Sequence, residues 1–176
     1  RWVGYKCLSF DRLPADHESY FETDKKRVLV TCGTHLKWEK ERMVERAKKL
    51  SQLYPDYLFY VTLGEASGLG NVPKRLAENL LLFDYLPYTD ILDKIDFAIH
   101  HAGTGIMMAC IEHEIPSLIL PQDYDQFDNA VRAELAQVGL VARRKTDAEV
   151  LRIFKELTNR TDWSQLKNLA QQSKEY

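Results

Sequence analysis

Two short segments of this 176-residue chain carry residue types that bind phosphates and sugars. In the first, the apolar run Phe97–Ile99 is followed by His100–Gly105, which holds two glycines and precedes an apolar, helix-like stretch. A strand that turns into a helix through glycines presents backbone N–H groups and the positive end of the helix dipole, which together bind anions. His101 can donate a further hydrogen bond to such an anion. The segment therefore predicts a phosphate site.

The second segment is Asp125–Asn129, which opens a helix after the apolar run Ser117–Pro121. The side chains of Asp125 and Gln126 could bind sugar hydroxyls, or they could cap the helix that follows. We expect Asn129, one helical turn further on, to brace the preceding loop. A phosphate site beside an Asp-Gln pair indicates a site for a sugar nucleotide.

In order and spacing these residues resemble the donor-binding motifs of UDP-glycosyltransferases, roughly His-Gly-Gly-x-Gly-Thr-Thr-x-Glu, Gly-x-Pro and Asp-Gln-x-x-Asn-Ala. The resemblance extends over about residues 28–143 and includes Tyr85-Leu86-Pro87. It implies the C-terminal, donor-binding domain of a GT-B enzyme, an α/β fold with a Rossmann-like, doubly wound parallel sheet that is one half of the GT-B architecture. It implies diphosphate contacts from Gly33, Thr34, His101, Gly103, Thr104 and Gly105, uracil contacts from Tyr85 and Leu86, and sugar contacts from Asp125 and Gln126.

Several of these residues also have purely structural interpretations. Tyr85 presents a ring that can stack on uracil, or it is a half-buried aromatic at a strand end. Thr34 faces the diphosphate, or it caps the next turn. His100 is expected to point away from His101, because neighbours on a strand alternate faces.

The chain departs from the family pattern at three places. Ile106-Met107 replaces a pair of hydroxyl residues, Ala109 replaces the glutamate that binds ribose, and Glu114 replaces a glycine. We therefore expect the backbone N–H groups to bind the diphosphate, while the ribose contact and the affinity for the donor are weakened.

Composition excludes some classes of function. The net charge of −2 does not favour nucleic-acid binding, and no apolar run is long enough to cross a bilayer, so membrane association is not indicated. The three cysteines have no metal-binding or redox spacing, and we predict no metal site and a cytoplasmic location. The chain begins at Arg1 without an initiator methionine, which suggests a fragment.

The alternation of apolar strands with amphipathic helices predicts a parallel sheet. We expect residues 1–26 to form a linker-like segment, with Trp2-Val3-Gly4 similar to the family's interdomain linker, and residues 27–176 to form the donor-binding domain. Strands are predicted at Arg27–Cys32, Tyr57–Leu63, Leu80–Phe83, Asp96–His100, Ser117–Leu120 and Leu140–Ala142. Helices are predicted at Lys37–Leu53, Thr89–Ile95 and Gly105–His113, then around Phe127–Val138, from Thr146 to Leu157, and around Trp163–Ala170.

The resemblance implies a glycosyltransferase, a hexosyltransferase that moves a sugar from a UDP-sugar to an acceptor hydroxyl by an inverting displacement. No cofactor and no metal are expected, and no residue of this chain is assigned as catalytic. The acceptor site is expected in an N-terminal domain or a separate subunit, so the chain alone is expected to be inactive. Two alternatives remain open: a non-catalytic nucleotide-sugar-binding or scaffolding subunit, and a nucleotide-sugar epimerase, which the Asp-Gln-x-x-Asn pattern argues against.

Overall fold

A computed structural model describes residues 11–174, which form two compact units, residues 11–96 and residues 97–174. We call them the N-terminal unit and the C-terminal unit. Both are built from parallel strands and helices, so the α/β, Rossmann-like fold class predicted from the sequence is confirmed.

The N-terminal unit contains four strands in the order β3-β4-β2-β1. They are β1 (Lys26–Thr31), β2 (Tyr57–Thr62), β3 (Lys74–Ala77) and β4 (Leu80–Phe83). β1, β2 and β4 are parallel, and both β1 and β2 are buried almost continuously, as expected for strands covered on both faces. Helix α1 (Lys40–Leu53) connects β1 to β2, and the short helix α2 (Tyr88–Ile91) follows β4.

The C-terminal unit contains three parallel strands in the order β5-β6-β7. They are β5 (Phe97–His100), β6 (Ser117–Ile119) and β7 (Gly139–Val141), joined by α3 (Thr104–Glu112) and α4 (Gln126–Leu135). Helices α5 (Asp147–Asn159) and α6 (Ser164–Lys174) complete the unit. Each candidate binding segment of this unit therefore lies where a strand turns into a helix.

Strand β3 was not predicted, because its sequence does not resemble a typical strand. It begins with Lys74 and Arg75 and pairs antiparallel with β4, with a register shift between Arg75 and Ala77. Within residues 11–174 it is an edge strand that pairs only with β4, and charged residues and bulges are common at such edges. Hydrophobic patterning alone does not detect strands of this kind.

The described part of the predicted linker packs on the N-terminal unit. Residues Ala15–Phe21 form a 3-10 helix, and the Phe21 ring stacks on the Tyr60 ring at a centroid distance of 4.5 Å. The guanidinium of Arg27 donates to the carbonyl oxygens of Phe21 and Thr23. Trp2-Val3-Gly4 lies outside the described residues, and the linker assignment stays a prediction.

Helix α4 was predicted from apolar residues at helical spacing, and the helix is present. Its buried face, however, consists of Gln126, Ala130 and Ala133. The apolar residues Phe127, Val131 and Leu135 face outward instead. The spacing identified a helix but not its inner face, because an apolar stripe shows the same period whether it faces the core or the solvent.

Candidate functional site

The turn after β5 forms the centre of the site. Ala102 has a left-handed backbone, with φ 67°, and its N–H donates to His100 Nδ1 at 3.0 Å. Gly103 follows as the N-cap of α3, and the first bond of the helix runs from Met107 N–H to the Gly103 carbonyl. The N–H groups of residues 104–106 precede that bond, so they lie at the anion-binding end of the helix.

The space around the two glycines of this turn, Gly103 and Gly105, differs. A Cβ atom at Gly103 would lie 2.4 Å from His101 Nε2, so a side chain there would collide with the imidazole. Among the described residues, a Cβ atom at Gly105 would have no neighbour within 4 Å. Gly103 therefore lets the His101 ring lie against the turn, whereas the packing does not require a glycine at position 105.

His100 holds the turn in place. Its side chain is buried, and burial, with a smaller contribution from His101, lowers its pKa from 6.5 to about 3. The ring is therefore neutral at pH 7, and because Nδ1 accepts from Ala102, the proton lies on Nε2. Nε2 is buried and, within residues 11–174, has no hydrogen-bond partner. The sequence indicated only that this residue would be structural.

The same turn follows two strands of the N-terminal unit. In all three turns, the side chain of the last strand residue accepts a hydrogen bond from the backbone N–H group two positions later. The residue that donates this bond has a left-handed backbone. The pairs are Thr31 with Gly33 (3.1 Å, φ 72°), Thr62 with Gly64 (3.3 Å, φ 69°), and His100 with Ala102. Within the N-terminal unit, a Cβ atom at Gly64 would lie 2.9 Å from the Gly33 carbonyl oxygen, so the two glycine turns must pack closely.

A hydrogen-bond network joins the β5 turn to the start of α4. The hydroxyl of Thr104 donates to Asp125 Oδ2 at 3.2 Å. Asn129 Nδ2 donates to the same carboxylate oxygen at 3.0 Å and to the Ala102 carbonyl at 3.0 Å. Asn129 therefore braces the β5 turn as well as Asp125, which is more than the loop role predicted for it. The structure thus brings Thr104, one of the residues predicted to bind phosphate, next to Asp125, one of the residues predicted to bind sugar.

The side chains of Asp125 and Gln126 differ in exposure and in the hydrogen bonds that they make. Asp125 is exposed at the N-cap position of α4, but its side chain makes no capping bond. Gln126 is buried, and its Oε1 accepts the N–H groups of Gln122 and Asp123 at 2.9 and 3.1 Å. The glutamine therefore has a loop-holding role that the sequence did not reveal, and a sugar hydroxyl would have to bind its amide nitrogen. The sugar contacts of both residues stay predictions.

The remaining predicted residues lie in the N-terminal unit. Thr34 is exposed, and its hydroxyl lies 2.9 Å from His35 Nδ1. Tyr85 is half-buried, with its hydroxyl donating to Asp11 at 2.9 Å, and Leu86 is buried. Gly33 and Thr34 follow β1, and Tyr85 and Leu86 follow β4. Their roles toward diphosphate and uracil, and their convergence with the residues of the C-terminal unit, stay predictions.

The departures from the family pattern have structural counterparts. Ile106, Met107 and Ala109 are buried in the packing of α3, each 6 % exposed or less. Positions where the family has polar groups thus carry core residues here. Glu114 has φ 56° at the end of α3, where the N–H of Ile115 bonds to the Cys110 carbonyl, so it occupies a position at which glycine is favoured.

Comparison with known proteins identifies relatives along most of the chain. Residues 56–175 match the family described as erythromycin biosynthesis protein CIII-like, C-terminal domain. UDP-glucuronosyltransferase 2C1 of Oryctolagus cuniculus is 27 % identical over 169 residues, which are 92 % of this chain and 32 % of the relative. Sterol 3-beta-glucosyltransferase of Komagataella phaffii is 32 % identical over 99 residues, covering 56 % of this chain and 8 % of that protein. The chain thus spans a third or less of the length of these relatives.

Solved structures confirm the fold. Spinosyn rhamnosyltransferase SpnG superimposes with a TM-score of 0.78 at 18 % identity, over 98 % of this chain and 47 % of that one. Glycosyltransferase SsfS6 of Streptomyces sp. SF2575, complexed with thymidine diphosphate, gives a TM-score of 0.72 at 18 % identity, over 94 % of this chain and 41 % of that one. No helix within residues 11–174 is long and apolar enough to span a membrane.

Proposed function

The chain belongs to the family of erythromycin biosynthesis protein CIII-like C-terminal domains, and on this premise we propose that it is the donor-binding part of a glycosyltransferase. It binds a nucleotide sugar, a UDP-sugar, whose sugar passes to an acceptor hydroxyl. The observation that carries the proposal is the network that links Thr104 at the start of α3 to Asp125 at the start of α4. This network sets a predicted phosphate-binding element beside a predicted sugar-binding side chain.

In the proposed reaction the acceptor oxygen attacks the anomeric carbon of the sugar, and the bond from that carbon to the diphosphate breaks. The electron pair leaves on the diphosphate, and the acceptor proton goes to a base. Backbone N–H groups at the start of α3, together with His101, stabilise the charge on the leaving diphosphate. The neutral His100 keeps the turn closed without adding charge.

The residues described in this chain contain no evident base for the acceptor hydroxyl. Asp125 accepts hydrogen bonds from Thr104 and Asn129, which suits a carboxylate that holds a sugar hydroxyl better than one that abstracts a proton. We therefore assign the base and the acceptor site to an N-terminal domain or a partner subunit. The relatives' greater length supports this division.

A second candidate is a non-catalytic subunit that binds nucleotide sugars. Burial of Ile106, Met107 and Ala109 favours it, because the family's hydroxyl and carboxylate groups are replaced by residues that serve packing. The two candidates agree on diphosphate binding and differ on sugar transfer.

Calorimetry with UDP and uridine tests the binding that both candidates share. We expect weak but measurable UDP binding, and His101→Ala should weaken it about ten- to a hundredfold, the cost of one hydrogen bond to a charged group. Uridine has no diphosphate, so its affinity should not change. His113→Ala, at the opposite end of α3, is the matched control. Absence of UDP binding at millimolar concentration, or an equal loss for uridine, would refute the assignment.

A further inference from the structure

The loop that carries the candidate sugar-binding pair is tied to a second turn of the C-terminal unit. We call residues 120–126 the donor loop; it follows β6, ends at the start of α4 and includes Asp125 and Gln126. Strands β6 and β7 are parallel neighbours, so the segments that follow them lie at the same edge of the sheet. Lys145 lies in the segment after β7, and its side chain reaches the donor loop.

The ammonium group of Lys145 contacts the donor loop at its start and the helix at its end. Nζ donates to the Pro121 carbonyl at 2.9 Å and to Gln122 Oε1 at 3.5 Å. It also lies 5.6 Å from the centroid of the Phe127 ring, which belongs to the first turn of α4. This distance is within the range of a cation–π interaction. The candidate sugar-binding pair therefore lies between two points that one cation contacts.

Hydrogen bonds within the donor loop connect these contacts to the candidate sugar-binding pair. The backbone N–H of Gln122 donates to Gln126 Oε1 at 2.9 Å, and the side-chain amide of Gln122 donates to the Leu120 carbonyl at 2.9 Å. Gln122 is thus bonded to Lys145, to Leu120 and to Gln126. A movement of Gln122 would release the amide of Gln126 and, with it, the neighbouring Asp125.

The turn after β7 fixes the direction of the Lys145 side chain. Lys145 has a left-handed backbone, with φ 55°, which a residue with a side chain adopts only where its surroundings enforce it. One carboxylate oxygen of Glu149 accepts the N–H groups of Arg144 and Lys145 at 2.7 and 2.8 Å. The N–H of Glu149 in turn donates to the Thr146 hydroxyl at the start of α5. The start of α5 thus holds the strained residue whose side chain contacts the donor loop.

We propose that Lys145 is a positioning residue of the donor site, which holds the donor loop so that Asp125 and Gln126 meet the sugar of a bound nucleotide sugar. The inference rests on the proposed function, which supplies the ligand of this loop. In this role Lys145 contacts no reacting atom and instead raises the fraction of chains whose donor loop is ordered. UDP has no sugar, so Lys145 should affect the binding of UDP-sugars and not that of UDP.

Dissociation constants from NMR titration of the ¹⁵N-labelled chain test this difference. Lys145→Met keeps the length of the side chain and removes its charge. It should weaken UDP-glucose and UDP-galactose about tenfold, as expected if the loop is ordered in about one chain in ten, and leave UDP unchanged. Lys145→Arg should restore most of the loss, because a guanidinium also donates to carbonyl oxygens and lies on aromatic rings. Lys155→Met, at an exposed lysine of α5, is the matched control.

Hydrogen exchange of the ligand-free chain tests the contact itself. In Lys145→Met the amide protons of Gln122 and Asp123, which both bond to Gln126 Oε1, should exchange about tenfold faster, as expected for the loss of one hydrogen bond to a charged group. The amide protons of β6 should keep their wild-type rates. A general loss of stability would instead speed exchange throughout the C-terminal unit.

The two measurements separate this inference from the proposed function. A wild-type chain that binds no UDP would refute the proposed function. If UDP binds, an equal loss for UDP and both UDP-sugars in Lys145→Met, or no loss for either sugar, would overturn the role of Lys145 and leave the donor site in place. Wild-type exchange rates at Gln122 and Asp123 in this variant would overturn that role as well.

Discussion

Glu114 occupies a backbone conformation that glycine adopts without strain. It is exposed at the end of α3, where its N–H bonds to the Ile111 carbonyl. We expect Glu114→Gly to stabilise the protein by about 1 kcal/mol, because it removes the steric cost of a left-handed side chain. Urea denaturation measures the change. Glu114→Ala is the control, since it keeps the Cβ atom, and equal stabilisation by both variants would show that the backbone strain is not the cause.

The buried His100 predicts a pH dependence of stability. Its pKa is about 3 in the folded chain and near 6.5 when unfolded, so unfolding takes up a proton between these values. The stabilisation is therefore complete above about pH 6.5 and is lost progressively as the pH falls toward 3. His100→Asn keeps an acceptor for the Ala102 N–H but does not titrate, so its free energy of unfolding should fall less steeply over this range.

Urea denaturation at several pH values compares this variant with the wild type. The control variant is His35→Asn, which removes an exposed histidine instead of the buried one, and an equal change of slope in both variants would show that the effect is not specific to His100. Parallel curves for His100→Asn and the wild type would mean that His100 does not titrate in the way its burial implies.

At the scale of elements, the start of α5 offers a direct test of local stability. The Thr146 hydroxyl accepts the N–H of Glu149 at 3.2 Å, and the Glu149 carboxylate accepts the N–H groups of Arg144 and Lys145. The Thr-x-x-Glu pattern of residues 146–149 thus marks the start of the helix, although the glutamate reaches back beyond the threonine. Thr146→Ala should cost about 1 kcal/mol.

Thermal or urea unfolding measures this cost, and Thr158→Ala in the last turn of α5 is the matched control. Thr158 donates to the carbonyls of its own helix and caps no N–H group, so its removal should change stability less. An equal cost at both positions would argue against a capping role for Thr146.

The sequence predicts the parallel strands and most helices because the apolar runs and their spacing reflect which residues of each element are buried. It predicts the strand-to-helix turn after β5 but not the conformation shared by the turns after β1, β2 and β5, because this conformation depends on backbone angles and on a side-chain acceptor, such as the one that His100 provides. The loop-holding bonds of Gln126 were missed for a related reason: its residue type fits both a sugar contact and a loop contact. Which residues of a helix face the core, as in α4, depends on its partners and not on its own pattern.

At the scale of the whole molecule, we assign the donor site to this chain and the acceptor site to another domain or subunit. This assignment predicts that the chain alone transfers no sugar. The chain holds predicted phosphate and sugar contacts, but an acceptor must also be fixed against the anomeric carbon. Labelled UDP-sugars incubated with acceptor alcohols should give no product with the chain alone and product once an acceptor-binding domain or subunit is added. Transfer by the chain alone that depends on Asp125 would contradict this division.

The central claim is that the start of α3 binds the donor diphosphate. Its most direct test is a titration of the ¹⁵N-labelled chain with UDP and with uridine, followed through the backbone amide resonances. UDP should shift the amides of Thr104, Gly105 and Ile106 most strongly, and uridine should leave them nearly unchanged. The absence of such shifts at millimolar UDP, or equal shifts with uridine, would contradict the claim.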